Sequence, residues 1–104
     1  MKILENKETR LKNQDGETYT LYSDLINHSL NIIPQGGISP SEMRKRVRII
    51  KSLEKAPLAG NIIKFEDNDA ENLKQIVKTS KWSLIHEDIL NFQDDVDSMK
   101  IENK

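Results

Sequence analysis

The sequence predicts a small α+β domain, in which a β-hairpin, extendable to a three-stranded sheet, packs against about four helices. Three observations carry this. Asp15 and Gly16 stand between two runs with strand character, the second being Thr18, Tyr19, Thr20 and Leu21, and glycine readily supplies the positive φ of a tight turn. Residues 39–55 place apolar side chains at a helical period behind a strong start signal. Ile85, Ile89, Phe92, Val96 and Met99 recur at i, i+4, i+7, i+11 and i+14, a second helical stripe.

Taken in order, residues 1–7 read as a flexible end and 8–21 as the hairpin. Ser23 is placed to cap a helix over about 24–32, with Tyr22, Leu25, Ile26, Leu30 and Ile33 as its apolar side. Pro34, Gln35, Gly36 and Gly37 break the chain. Ser39 caps the central helix, Pro40 fits its first position and Glu42 completes a Ser-x-x-Glu capping box. Met43, Val47, Ile50 and Leu53 are its expected buried face, and the pair Ala56–Pro57 ends it. Residues 61–65 form a short strand that would join the hairpin. Asp67 or Asn68 caps the next helix, whose buried side is Ala70, Leu73, Ile76 and Val77. The last helix follows Ser83, and 100–104 read as a flexible tail.

At 104 residues the chain is one domain, 1–104. Hydrophobic residues (36%) barely exceed charged ones (32%), but they are periodic, so a folded domain is expected rather than a disordered chain. With no cysteine there are no disulfides, thiolate catalysis or cysteine-held zinc. No run approaches the ~20 apolar residues of a membrane span, and residues 1–7 lack a signal-peptide core. A soluble, cytoplasmic protein is the expectation.

Net charge is −1, but it is segregated. Residues 1–38 carry −1. Residues 39–64 hold seven basic side chains against Glu42 and Glu54, a net +5, and residues 65–104 hold five lysines against ten acids, a net −5. Such complementary segments can pair within one molecule or between copies, and the apolar stripe of the last helix, which needs burial, favours a homo-oligomer.

Arg44, Arg48, Lys51 and Lys55 follow helical spacing and form a basic stripe, with Lys45 and Arg46 beside it. Such a stripe is either a solvated helix face or a docking surface for an acidic partner, protein or nucleic acid. Trp82, between two helices, is either a core anchor or an interface residue. These five, Arg44, Arg48, Lys51, Lys55 and Trp82, are the candidate partner-binding residues. No catalytic constellation, metal set or cofactor motif is legible. His28 and His86 lack metal-ligand spacing and read as surface or capping residues. The acidic clusters at 67–69 and 94–97 lack the glycine and distal glutamate of a calcium loop. Against nucleic acid stand the acidic C-terminal half and the few aromatics.

The order of pieces is similar to that of small proteins encoded by tailed phages and prophages. The pattern runs from Leu11–Lys12–Asn13–Gln14–Asp15–Gly16–Glu17–Thr18–Tyr19–Thr20–Leu21, through a helix ending near Leu30 and the Arg/Lys-rich helix, to Ile62–Ile63–Lys64–Phe65–Glu66–Asp67 and Asn68–Asp69–Ala70–Glu71–Asn72–Leu73–Lys74. It covers roughly 9–96 and rests on pattern, with no diagnostic motif. The resemblance implies a phage context in the host cytoplasm, with a role in inhibiting host or defence proteins, in regulation or in virion assembly, and it brings no catalytic residues. The expected function is a non-enzymatic protein-binding module, an inhibitor or regulator. A nucleic-acid-binding regulator using helix 40–55 and a small virion assembly protein are the alternatives.

Overall fold

The computed structural model describes residues 1–102. Nine elements follow one another: β1 (Lys2–Glu5), β2 (Glu8–Lys12), β3 (Tyr19–Leu21), α1 (Tyr22–Leu30), α2 (Pro40–Glu54), β4 (Ile62–Phe65), α3 (Asp67–Thr79), α4 (Glu87–Asp97) and β5 (Lys100–Ile101). The fold is α+β, as expected, but its strands form two separate antiparallel units.

The hairpin β2–β3 forms as the Asp15–Gly16 signal predicts. Gly16 takes φ 72°, a region where a Cβ is disfavoured. Asp15 accepts hydrogen bonds from the N–H groups of Glu17 (2.8 Å) and Thr18 (2.9 Å) and from the Thr18 hydroxyl (2.7 Å). These bonds hold the Asp15 carboxyl below its usual range, the Thr18 N–H being the largest cause.

The second unit corrects two expectations. The strand expected over 61–65 forms over 62–65, as β4, but it pairs with β1 and not with the hairpin, in the register Lys2↔Phe65, Ile3↔Lys64, Leu4↔Ile63 and Glu5↔Ile62. β5 adds to the other side of β1 through Lys2↔Ile101 and Ile3↔Lys100. The ends expected to be flexible, 1–7 and 100–104, thus supply the middle and one edge of a three-stranded sheet; Asn103 and Lys104 lie outside the described residues. The pleat turns Leu4, Ile63 and Phe65 into the core and leaves Glu5, Ile62 and Lys64 exposed.

Asn6 ties this sheet to the helices and is fully buried. Its Nδ2 donates to Ser23 Oγ and to the Ala56 carbonyl, both at 3.0 Å, and its Oδ1 accepts from the Ser23 N–H at 2.9 Å. Ser23 therefore belongs to the first turn of α1 and is not its cap. The side chain closing that end is Asp24, which accepts the Leu21 N–H at 2.8 Å.

The core gathers Leu25, Ile26 and Leu30 of α1, Ile49 and Leu53 of α2, Ala70, Leu73, Ile76 and Val77 of α3, and Phe92 and Val96 of α4. The α3 face is the predicted one. α4 begins later than expected: His86 Nδ1 accepts the Asp88 N–H at 3.0 Å and caps it, which leaves Ile85 outside the helix and fully exposed. Ile89, Phe92, Val96 and Met99 are buried within the chain. The apolar demand that favoured a homo-oligomer is therefore met inside one molecule. Ile33 is exposed rather than part of the α1 face.

Candidate docking face on the central helix

α2 starts at the predicted Ser39 and Pro40, while the Glu42 side chain, expected to complete a capping box, faces Lys45 and Arg46 instead. Ser39 Oγ accepts the Glu42 N–H at 3.1 Å and Pro40 opens the helix. Its orientation differs from the expected one. The expected inner row was Met43, Val47, Ile50 and Leu53; the row turned inward is Glu42, Arg46, Ile49 and Leu53, with Ile50 half-buried beside it. The displacement is one residue step, about 100° around the axis. Ile49 is 0% exposed, whereas Met43 is 51% and Val47 41% exposed.

An arginine inside an apolar row has a definite task. Arg46, its side chain 12% exposed, donates from Nη1 to the carbonyls of Leu30 (3.0 Å) and Ile32 (2.8 Å). The last carbonyls of a helix lack intrahelical donors and carry partial negative charge. Arg46 satisfies them where α1 ends and so fixes α2 on it. Glu42 lies 3.7 Å from its Nε.

The four predicted basic residues divide into two kinds. Arg48 is engaged: Nε and Nη2 reach the two oxygens of the buried Asp69 at 3.0 and 3.3 Å, a two-point pairing that guanidinium geometry favours. Arg44, Lys51 and Lys55 are exposed and have no ion-pair partner among the described residues. Helical spacing puts these three beside Met43 and Val47 on the outward side of α2. The result is a ridge of three free cations flanked by two exposed apolar side chains. The sequence pattern signalled the cations but assigned Met43 and Val47 to the core.

Trp82 is not part of that ridge. Its indole stacks on the His28 ring (centroids 5.0 Å, 28°) and meets Phe92 edge-on (6.2 Å, 86°). It packs on the core while staying half-buried. It also lines a cleft of about 440 Å³ with Leu11, Leu25, His28, Leu84 and Ile89, which contains no residue of α2. The structure thus brings Arg44, Lys51 and Lys55 together and places Trp82 elsewhere, as a packing residue.

Two acidic residues of α4, the buried Asp88 and the half-buried Asp95, are paired. Asp88 accepts from the Arg10 backbone N–H (2.7 Å), Nε (3.3 Å) and Nη2 (2.7 Å), fastening α4 to β2. The Arg10 guanidinium and N–H together hold the Asp88 carboxyl down, to about 2. Asp95 accepts from Tyr22 Oη at 2.6 Å and faces Lys7 Nζ at 3.3 Å. Burial, and then the Asp95 bond, push the Tyr22 phenol up. One member of the late acidic cluster thereby gains the basic neighbour it needs.

Among the described residues no group of His, Asp and Glu side chains is arranged to hold a metal ion, and no helix is long and apolar enough to cross a membrane. Comparison with protein-family models, curated proteins and solved structures finds no match. The fold and the ridge define a small α+β domain with a basic, partly apolar helix face turned outward.

Proposed function

We propose that the protein is a non-enzymatic protein-binding module whose outward α2 face docks on an acidic, partly apolar surface of a partner protein. One observation carries this reading: Met43 and Val47 are exposed beside the unpaired Arg44, Lys51 and Lys55. Cations alone would serve a phosphate backbone as well as a carboxylate surface. Two large apolar side chains in the same row gain nothing from phosphates, but leave water when a protein surface covers them. On the resemblance to phage-encoded proteins, the partner is a host or defence protein that the module inhibits or regulates in the host cytoplasm.

Capture from host lysate by the immobilised chain tests this. The wild type is compared with Arg44→Glu/Lys51→Glu and with Met43→Ser/Val47→Ser; Arg48 is left alone because it holds Asp69. Both variants are expected to keep the wild-type circular dichroism and to lose at least about tenfold in capture, the effect of ~1.4 kcal/mol. Equal capture by all three would exclude the α2 face. A salt-sensitive DNA or RNA gel shift, abolished by the charge variant and untouched by the apolar one, would replace protein with nucleic acid as the partner.

A further inference from the structure

α2 is not the only helix with an unpartnered outward face. With Ile89, Phe92 and Val96 turned inward, α4 turns Glu87, Leu90, Asp94 and Asp97 outward. Leu90 is 62% exposed, and the fully exposed Ile85 and half-exposed Leu84 stand just before the helix. Asp94 and Asp97 have no ion-pair partner among the described residues. Glu87 makes a single long contact, 3.7 Å to Arg10 Nη2, with both side chains largely exposed.

The two faces match in spacing as well as in charge. On α2, Arg44 stands three residues before Val47 and Lys51 four after it. On α4, Glu87 stands three before Leu90 and Asp94 four after it. Each face is therefore an apolar side chain with a charge one helical turn away on either side, positive on one helix and negative on the other. Within one molecule the faces do not meet. α3 packs against both helices, and no ion pair among the described residues links the two faces.

We infer that the outward α2 face of one copy docks on the outward α4 face of a second copy, with Val47 against Leu90 and Arg44 and Lys51 against Glu87 and Asp94. The inference rests on the same α2 face as the proposed function and goes beyond it by naming an acidic, partly apolar occupant carried by the chain itself. The contact joins two different surfaces, so it is head-to-tail and builds rings or open chains rather than a two-fold dimer. A partner protein on α2 and a second copy on α2 exclude one another, so partner binding disassembles the self-associated form.

Sedimentation equilibrium of the full chain, with two charge-reversed variants, tests this. One variant reverses α2 (Arg44→Glu/Lys51→Glu) and the other α4 (Asp94→Lys/Asp97→Lys); all four sites are exposed, and circular dichroism checks each fold. At low salt and up to about 1 mM protein, the wild type is expected to reach a weight-average mass of at least ~2 protomers. It should fall back toward one protomer in about 1 M salt, where the Debye length is about 3 Å. Each variant alone should stay monomeric, because its two faces now repel. Their equimolar mixture should associate again, since the native α2 face of one variant meets the native α4 face of the other, and the two reversed faces also carry opposite charges. A monomeric wild type, a monomeric mixture, or association of either variant alone would overturn the inference. The proposed function fails separately: the α4-reversed chain keeps its α2 face and must still capture the partner.

Discussion

Three buried polar side chains hold the elements in place. Asn6 satisfies two acceptors, Ser23 Oγ and the Ala56 carbonyl, and one donor, the Ser23 N–H. Asn6→Ala leaves the Ser23 N–H and the Ala56 carbonyl without partners, and is expected to destabilise the fold by about 3 kcal/mol. Urea unfolding measures it, and a loss below ~1 kcal/mol would mean that water replaces the amide. Arg46→Met removes both bonds to the end of α1 and should cost about 1.5–3 kcal/mol; Arg46→Lys recovers little, since one ammonium lacks the guanidinium's fixed fork. Asp88 makes stability depend on pH. Its folded pKa, about 2, lies below the ordinary carboxyl value, so its contribution is complete above about pH 4 and is lost as pH falls toward 2. Asp88→Asn should flatten the urea-midpoint profile over that window while lowering the midpoint at neutral pH. An unchanged slope would assign the acid sensitivity to other carboxyls, such as Asp15, which is also held down. None of the three roles is legible locally. Glu5–Asn6–Lys7 looks like a polar loop, Arg46 lies in a run of four cations broken only by Val47, and Asp88 beside Glu87 looks like dipole compensation.

The helices show what periodicity does and does not decide. Ser39, Pro40 and Glu42 locate the start of α2, because capping is local chemistry. Which face points inward is not local. One row offers Met43, Val47, Ile50 and Leu53, and the other offers Ile49 and Leu53 with a glutamate and an arginine in it. The apolar count favours the first; the need of the α1 carbonyls for a donor selects the second. Ile49→Ala is therefore expected to cost about 2–4 kcal/mol, as a buried large-to-small change does. Val47→Ala should stay within about 0.5 kcal/mol, as exposed substitutions do. Thermal or urea unfolding of the two variants compares them directly, and a reversed order would restore the first row to the core. The same logic explains α4. The stripe holds on α4 from Ile89 to Val96, whereas His86, the cap that makes the helix start after Ile85, carries a weaker signal than serine or aspartate. The cationic half of the candidate site was readable for this reason too: exposed charges at helical spacing need no tertiary information, but the exposure of Met43 and Val47 does.

For the molecule as a whole, the hairpin was readable because its strands are joined by one turn, and the three-stranded sheet was not because β1 pairs only with distant segments. Deleting residues 1–6 removes the middle strand and the Asn6 ties together, and is expected to abolish the cooperative unfolding transition and the dispersed amide spectrum. A cooperative fold in the shortened chain would show that the helices and hairpin suffice. The central position of β1 also sets an order of events during synthesis. β1 leaves the ribosome before the other elements described, and 56 residues lie between its last residue and the first of β4. At about 5–20 residues per second, Ile3 and Leu4 wait roughly 3–12 s for their first pairing partner. The helices and hairpin can close meanwhile, so the nascent chain passes through a stage with its core half assembled and one strand edge unclaimed, the interval in which a holding chaperone has something to hold.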